Sequence, residues 1–210
     1  MANEPSKPRT RLRPEQRRRL ILDAATAVFG EKGYAAASMA EIAAGAECNV
    51  AVIYDHFASK ADLQVVLVEE LTDELLAHVG SRLAVADSDD ADYFRAGVDG
   101  FFEYVEHHRH AARMLFREPP AEPSVVAAYR AAGSRATAAV SGFFLAHPEG
   151  HADSAEARRI AEAYATMLRS AQEGMTRWWL DHPHTPRAVV VQRLLEFCWT
   201  GLANGRREND

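Results

Sequence analysis

The amino-acid sequence predicts an all-α chain, an N-terminal three-helix unit of helix-turn-helix type followed by a C-terminal helical bundle. Three observations carry that prediction. Apolar residues recur at helical spacing along most of the 210 residues, and nowhere do they alternate as in a half-buried strand. Three capped helix starts, at Ser38, Asn49 and Ser59, fall close together. Breaks at Pro119-Pro120, His147-Pro148-Glu149-Gly150 and His182-Pro183 divide the rest into long segments.

The first helix is expected to begin at Pro14, whose fixed φ and missing N–H suit the first helical position, with Glu15 favourable beside the positive helix end. It is expected to stop at Gly33. Between them Leu20, Ile21, Ala24, Ala25, Val28 and Phe29 form one apolar stripe. Ser38-Met39-Ala40-Glu41 reads as a capping box that opens a short helix from Met39 to about Gly45. Asn49 caps the next, Val50 to Phe57, and Ser59-Lys60-Ala61-Asp62 caps a fourth. Helices this short are marginal alone, so the stripe of the first must hold them. Leu63, Val66, Leu67, Leu71, Leu75, Val79 and Leu83 then keep helical spacing until the acidic break Asp87-Ser88-Asp89-Asp90. Further helices are expected over 91–107, 109–117, 122–146, 153–181 and 187–204.

Composition excludes several classes. With 48% hydrophobic and 26% charged residues the chain is a folded globular protein rather than a disordered one. No apolar run of about 18 residues is present, and the basic N-terminus lacks the apolar stretch of a signal peptide, so a cytoplasmic protein without a membrane partner is expected. Cys48 and Cys198 have neither disulfide-framework nor zinc-ligand spacing and read as buried free thiols. The net charge of −6 is unevenly spread. Residues 1–19 hold seven basic side chains against two acidic ones, while residues 61–210 are strongly acidic. One end is therefore suited to a polyanion and the body is not.

The run Gly33-Tyr34, Ser38-Met39-Ala40-Glu41-Ile42-Ala43, Ala46, Asn49, Ile53-Tyr54, His56-Phe57, Ser59-Lys60 and Leu63 resembles the N-terminal pattern of the TetR family of bacterial transcriptional regulators. The resemblance is strong over about residues 14–70. It implies a helix-turn-helix DNA-binding domain within 14–60, preceded by a basic arm (1–13). A helical effector-binding and dimerisation domain (61–205) and a short tail (206–210) follow. The expected activity is that of a regulator, most simply a repressor released from a near-palindromic operator by a small, largely apolar or aromatic effector. No enzyme activity and no cofactor are expected; the partners are double-stranded operator DNA, the effector and a second copy of the chain.

In such a unit the second helix enters the major groove while surrounding donors clamp phosphates. Ser38, Asn49, Tyr54, His56 and Lys60 are the candidate phosphate contacts. Lys60 opposes the helix dipole from a first turn, a small penalty that a bound phosphate would reverse. Val50, Ala51 and Val52 stand where bases are read, yet none can make a bidentate hydrogen bond, so reading must lean on thymine methyls and DNA shape. Arg9, Arg11 and Arg13 of the arm either follow the backbone, enter a narrow minor groove, or are solvated. Glu47 falls where the family has a turn glycine; it suits a positive φ poorly and puts negative charge near the DNA face. These two features motivate the competing reading, a helical ligand-binding or enzymatic module that has lost specific operator binding.

In the body, Phe94, Val98, Phe101, Phe102, Tyr129, Tyr164 and Met167 are candidate effector contacts, with bundle core as the alternative for each. His107, His108 and His110 lack metal-ligand geometry, so no metal is expected. The last two helices carry apolar stripes that are either core or a two-fold four-helix interface, with Met175, Trp178, Val190, Leu194 and Phe197 as interface candidates.

Overall fold

The computed structural model describes residues 12–86, 90–146 and 154–207. Its helices are α1 (Pro14–Ala36), α2 (Met39–Gly45), α3 (Val50–Tyr54), α4 (Lys60–Leu83), α5 (Asp90–His107), α6 (Arg109–Leu115), α7 (Pro123–Ala146), α8 (Ala155–Asp181) and α9 (Arg187–Arg207). Among the described residues there is no strand. The expected helices are present with ends shifted by a few residues, except that the helix expected to reach Phe57 ends at Tyr54.

Local chemistry explains the boundaries. Pro14 starts α1, and the Arg13 backbone N–H donates to Gln16 Oε1 at 3.1 Å. The helix is interrupted at Gly33, where φ is 77° and ψ 167°, a region open in practice to glycine alone; one more turn runs to Ala36. Ser59 Oγ accepts the Asp62 N–H at 3.0 Å to start α4, and Ser154 does the same for Ala157 at the head of α8.

Two apolar cores result. In the first, Ile21, Leu22, Ala25 and Phe29 of α1 meet Ile42, Ala43, Ile53, Phe57, Leu63 and Leu67, so the α1 stripe does hold the short helices. Ala111 and Met114 of α6 and Ala128 and Ala132 of α7 join the same core, which therefore takes residues from both sides of the boundary expected at residue 60. The second core gathers Phe94, Val98, Phe102, Tyr104 and Val105 of α5 with Trp179 and Leu180 of α8 and Val190, Val191, Leu194 and Leu195 of α9. Val190 and Leu194, expected at an interface between copies, are thus buried inside the protomer, because α9 turns its main apolar stripe toward α5. Cys48 and Cys198 are free thiols, half-buried rather than buried. Among the described residues no helix is long and apolar enough to cross a membrane.

Candidate nucleic-acid interface and effector cavity

The capping box at Ser38 is complete: the Glu41 N–H donates to Ser38 Oγ at 3.2 Å and the Ser38 N–H to Glu41 Oε2 at 3.0 Å. Lys32 of α1 also donates to Glu41. These donors, Lys32 first and then Ser38, hold the Glu41 carboxyl down at about 2. A depressed carboxyl contributes above its ordinary titration range, so this cap is intact at neutral pH and is lost as pH falls through about 2.

After α2 the Glu47 N–H donates to the Ala44 carbonyl at 3.2 Å and the Cys48 N–H to the Ala43 carbonyl at 2.9 Å. This is the Schellman pattern, and Glu47 fills its left-handed position with φ 49°. A non-glycine residue there costs roughly 1–2 kcal/mol, against roughly 0.4–1 kcal/mol for the extra unfolded freedom of glycine. Glu47→Gly is therefore expected to stabilise the protein by about 0.5–1 kcal/mol and, if the carboxylate stands near DNA as the family resemblance implies, to tighten DNA binding most at low salt. Thermal melting and a salt series of binding titrations check both; a lowered melting temperature would contradict the account.

Asn49 stands at the start of α3 in extended conformation, but its side chain makes no capping bond. Ser38, Asn49, Ala51 and Tyr54 are exposed, as are Glu47 and Asp55. Val50 packs partly on the first core and Val52 is half-buried. His56 is half-buried with its ring tilted against Phe57 at 6.3 Å. Arg13 is exposed, while Arg9 and Arg11 lie outside the described residues. The next three arginines are committed internally. Arg17 donates to the Ala46 carbonyl at 2.8 Å, Arg18 pairs with Glu70 at 2.6 Å, and Arg19 pairs with Asp23 and Glu74.

Lys60, expected at a phosphate, has partners within the protein. Its ammonium donates to the carbonyls of Tyr34 at 2.8 Å and Ala37 at 3.0 Å and lies 4.3 Å from the centre of the Tyr34 ring. The negative C-terminal end of α1 thus supplies the compensation that the dipole argument sought from DNA. Lys60→Met is expected to lower stability by about 2 kcal/mol, or roughly 4–8 °C in melting temperature, with the salt dependence of DNA binding unchanged. An unchanged melt with a salt slope lower by about one unit would instead restore the phosphate role.

The body encloses a cavity of about 1000 Å³ between α4, α5, the α6–α7 connection, α7 and α8. Its α4 wall is Val68, Thr72, Leu75, Leu76, Val79, Gly80 and Leu83. These span about 22 Å at the helical rise of 1.5 Å per residue. Phe94, Val98 and Phe101 of α5 and Tyr129 of α7 complete the apolar lining with Val140 and Phe143. Burial pushes the Tyr129 hydroxyl up to about 12, and it donates to the Met114 carbonyl at 2.8 Å while accepting from Gln64. The lining also includes the exposed side chains of Arg117, Glu118, Arg130 and Arg177 and the less exposed Arg169 and Glu173, four arginines against two glutamates. Toward the Leu83 end the lining is apolar, with Tyr93, Gly97 and Ala139.

Three of the expected effector contacts lie elsewhere. Phe102 is fully buried with its edge against Trp179, since adjacent residues on α5 point about 100° apart. Tyr164 leans on Phe144 at 5.6 Å, and Met167 faces outward from α8. Met167 joins Ile160 and Trp178 in an exposed apolar row on α8, with Met175 half-buried and Phe197 of α9 77% exposed. The arginines of the lining went unnoticed in the sequence, because they come from three separate elements and no spacing connects them.

A helix-turn-helix unit mounted on a cavity-bearing helical body defines a ligand-binding type of DNA-binding regulator. Residues 21–65 match the family model for bacterial regulatory proteins of the tetR family, and residues 91–201 match the C-terminal domain described as Tetracyclin repressor-like. The HTH-type transcriptional activator FasR of Mycolicibacterium smegmatis is 32% identical over 196 residues, covering 92% of this chain and 86% of that protein. Among solved structures, a transcriptional regulator of Pseudomonas aeruginosa superposes with a TM-score of 0.76 at 22% identity, over 95% of this chain and 96% of that one. FadR from Bacillus subtilis, solved in complex with stearoyl-CoA, gives 0.73 at 15% identity, over 86% and 97%. The chain belongs to the TetR family and is a DNA-binding transcriptional regulator.

Proposed function

We propose that this regulator acts in the cytoplasm as a homodimer on a near-palindromic operator. Its effector has a long apolar chain and an anionic head group, as in a fatty acyl thioester of coenzyme A or a free fatty acid. The observation that carries the effector class is the cavity: long on its α4 wall, mostly apolar in its lining, and with four arginines against two glutamates among its charged residues. A volume of about 1000 Å³ stands at the upper end for small-molecule sites and suits a large ligand. The stearoyl-CoA bound by the FadR relative of the same fold supports that chemistry. Of the small, largely apolar or aromatic effector expected from the sequence, the largely apolar form is the one the length of the α4 wall supports, extended to a long chain.

The exposed apolar row on α8 with Phe197 supports dimerisation, and a two-fold pair of helix-turn-helix units meets half-sites about 34–36 Å apart. Repression is the mode expected from the sequence. Both signs occur by name among the matches, which include an activator and a repressor-like domain.

Calorimetric titration with palmitoyl-CoA tests the effector class. One molecule per protomer is expected to bind with a dissociation constant of about 1 μM or below. Ala136→Phe, which narrows the half-exposed cavity wall, should weaken binding at least about tenfold without loss of helicity. No binding by the wild type, or equal binding by the variant, would sink the reading.

A further inference from the structure

We propose that Arg117 is the coupling residue between cavity and DNA-binding unit, its guanidinium being contested by the end of α1 and the anionic head group of the effector. The proposal rests on the effector class argued above. Arg117 occupies a position shared by both sites. It lines the cavity, yet its Nη2 donates to the Gly30 carbonyl at 3.0 Å and reaches the Glu31 carbonyl at 3.5 Å. Its Nη1 fills the space that a β-carbon would take on Gly33. The interruption of α1 is therefore an arginine seat: glycine supplies both the left-handed backbone and the room.

From that seat the contacts continue into the DNA-binding unit without a gap. The Gly33 carbonyl accepts the Ala37 N–H at 3.1 Å, and the Tyr34 and Ala37 carbonyls hold Lys60. Lys60 is the first residue of α4, directly after the recognition segment, and later turns of α4 wall the cavity. Releasing Arg117 frees the Gly30 and Glu31 carbonyls and loosens the kink that positions the lysine's acceptors.

The exchange has a favourable direction. Arg117 meets neutral carbonyls on α1, whereas a phosphate or carboxylate adds a full opposite charge and a bidentate geometry that matches the guanidinium fork. Arg117 also acts electrostatically on Tyr129 in the cavity wall, where its charge works against the upward effect of burial. Glu118 is the nearby acid in the lining, while Glu173 is held by Arg169 at 2.7 Å. Arg130 also lines the cavity but, among the described residues, makes no hydrogen bond to α1, which makes it the natural contrast.

The test measures the dissociation constant for the DNA upstream of the protein's own gene, with and without saturating probe, and probe binding directly by calorimetry. Two probes separate the head groups: palmitoyl-CoA supplies phosphates and palmitate a carboxylate. In the wild type at least one probe should change DNA affinity by about tenfold. In Arg117→Ala the probe should still bind, within about tenfold of wild type, while the change in DNA affinity falls below about twofold. In Arg130→Ala probe binding should weaken, but at saturation the full change should remain. A wild-type ratio in Arg117→Ala, or an equal loss in Arg130→Ala, overturns the coupling role alone. A wild-type protein that binds neither probe overturns the effector class, and this proposal with it.

Discussion

Gly30→Ala is expected to lower the melting temperature by roughly 4–8 °C, even though alanine is the better helix former. Two effects oppose each other at this position. Propensity alone favours alanine over glycine in a helix by roughly 1 kcal/mol. A β-carbon on Gly30, however, would stand 2.5 Å from the His110 carbonyl oxygen and 3.0 Å from its Cα, both backbone atoms of α6 that cannot rotate away. The helices must part, at roughly 3 kcal/mol of overpacking, so the clash outweighs propensity. Gly142 of α7 is the control, since nothing lies within 4 Å of the corresponding position. There alanine should raise stability by roughly 0.5–1 kcal/mol. Melting curves of the two variants check the pair, and a stabilised Gly30→Ala protein would show that α1 and α6 are not packed as described. The same variant should blunt any effector response, because the α1–α6 seat is where Arg117 docks.

Replacing Trp178 and Phe197 together by aspartate is expected to convert a dimer to a monomer and to weaken operator binding by two orders of magnitude or more. Both side chains are large, apolar and exposed in the protomer, at 46% and 77%. Trp178 shares the outward face of α8 with Ile160 and Met167, and Phe197 stands at the margin of the buried α9 stripe. Carboxylates on such a face would be desolvated without partners in a two-fold interface, at several kcal/mol. A monomer then presents one recognition unit to one half-site and loses the linkage between two. Because neither side chain is in the core, the variant should keep its helicity. Sedimentation velocity alongside operator titration measures both effects. A dimer that survives both substitutions would place the interface on another face.

The features that were legible in the sequence are those settled by a few neighbouring residues. Ser38 with Glu41 and Ser59 with Asp62 are caps built within four residues, and both form as expected. Glu47 was marked as unsuited to a positive φ, and the turn does impose one. The limits appear where partners are distant along the chain. The dipole argument rightly found Lys60 unusual but could not foresee carbonyls 23 and 26 residues away as its acceptors. Periodicity showed that α9 is apolar on one face, not that Val190 and Leu194 would be spent on α5. Likewise, counting arginines gave a basic end, whereas Arg17, Arg18 and Arg19 are taken up by Ala46, Glu70, Asp23 and Glu74.

The cavity shows the same division. Phe94, Val98 and Phe101 could be nominated from the aromatic density of one segment, but Phe102 beside them faces the other way. A set of arginines assembled from the α6–α7 connection, α7 and α8 has no sequence signature, because it is a product of packing.

A sequence-specific DNA-binding regulator whose affinity is set from the cavity must both discriminate among DNAs and respond to its ligand. Fluorescence anisotropy with labelled DNA from upstream of its own gene, against scrambled DNA of equal length and with and without palmitoyl-CoA, tests both most directly. The account predicts preference for the upstream DNA over scrambled DNA by about three orders of magnitude, and a change of about tenfold or more when the acyl ligand is bound. Equal affinity for both DNAs, or an operator affinity indifferent to a ligand shown by calorimetry to be bound, would contradict it.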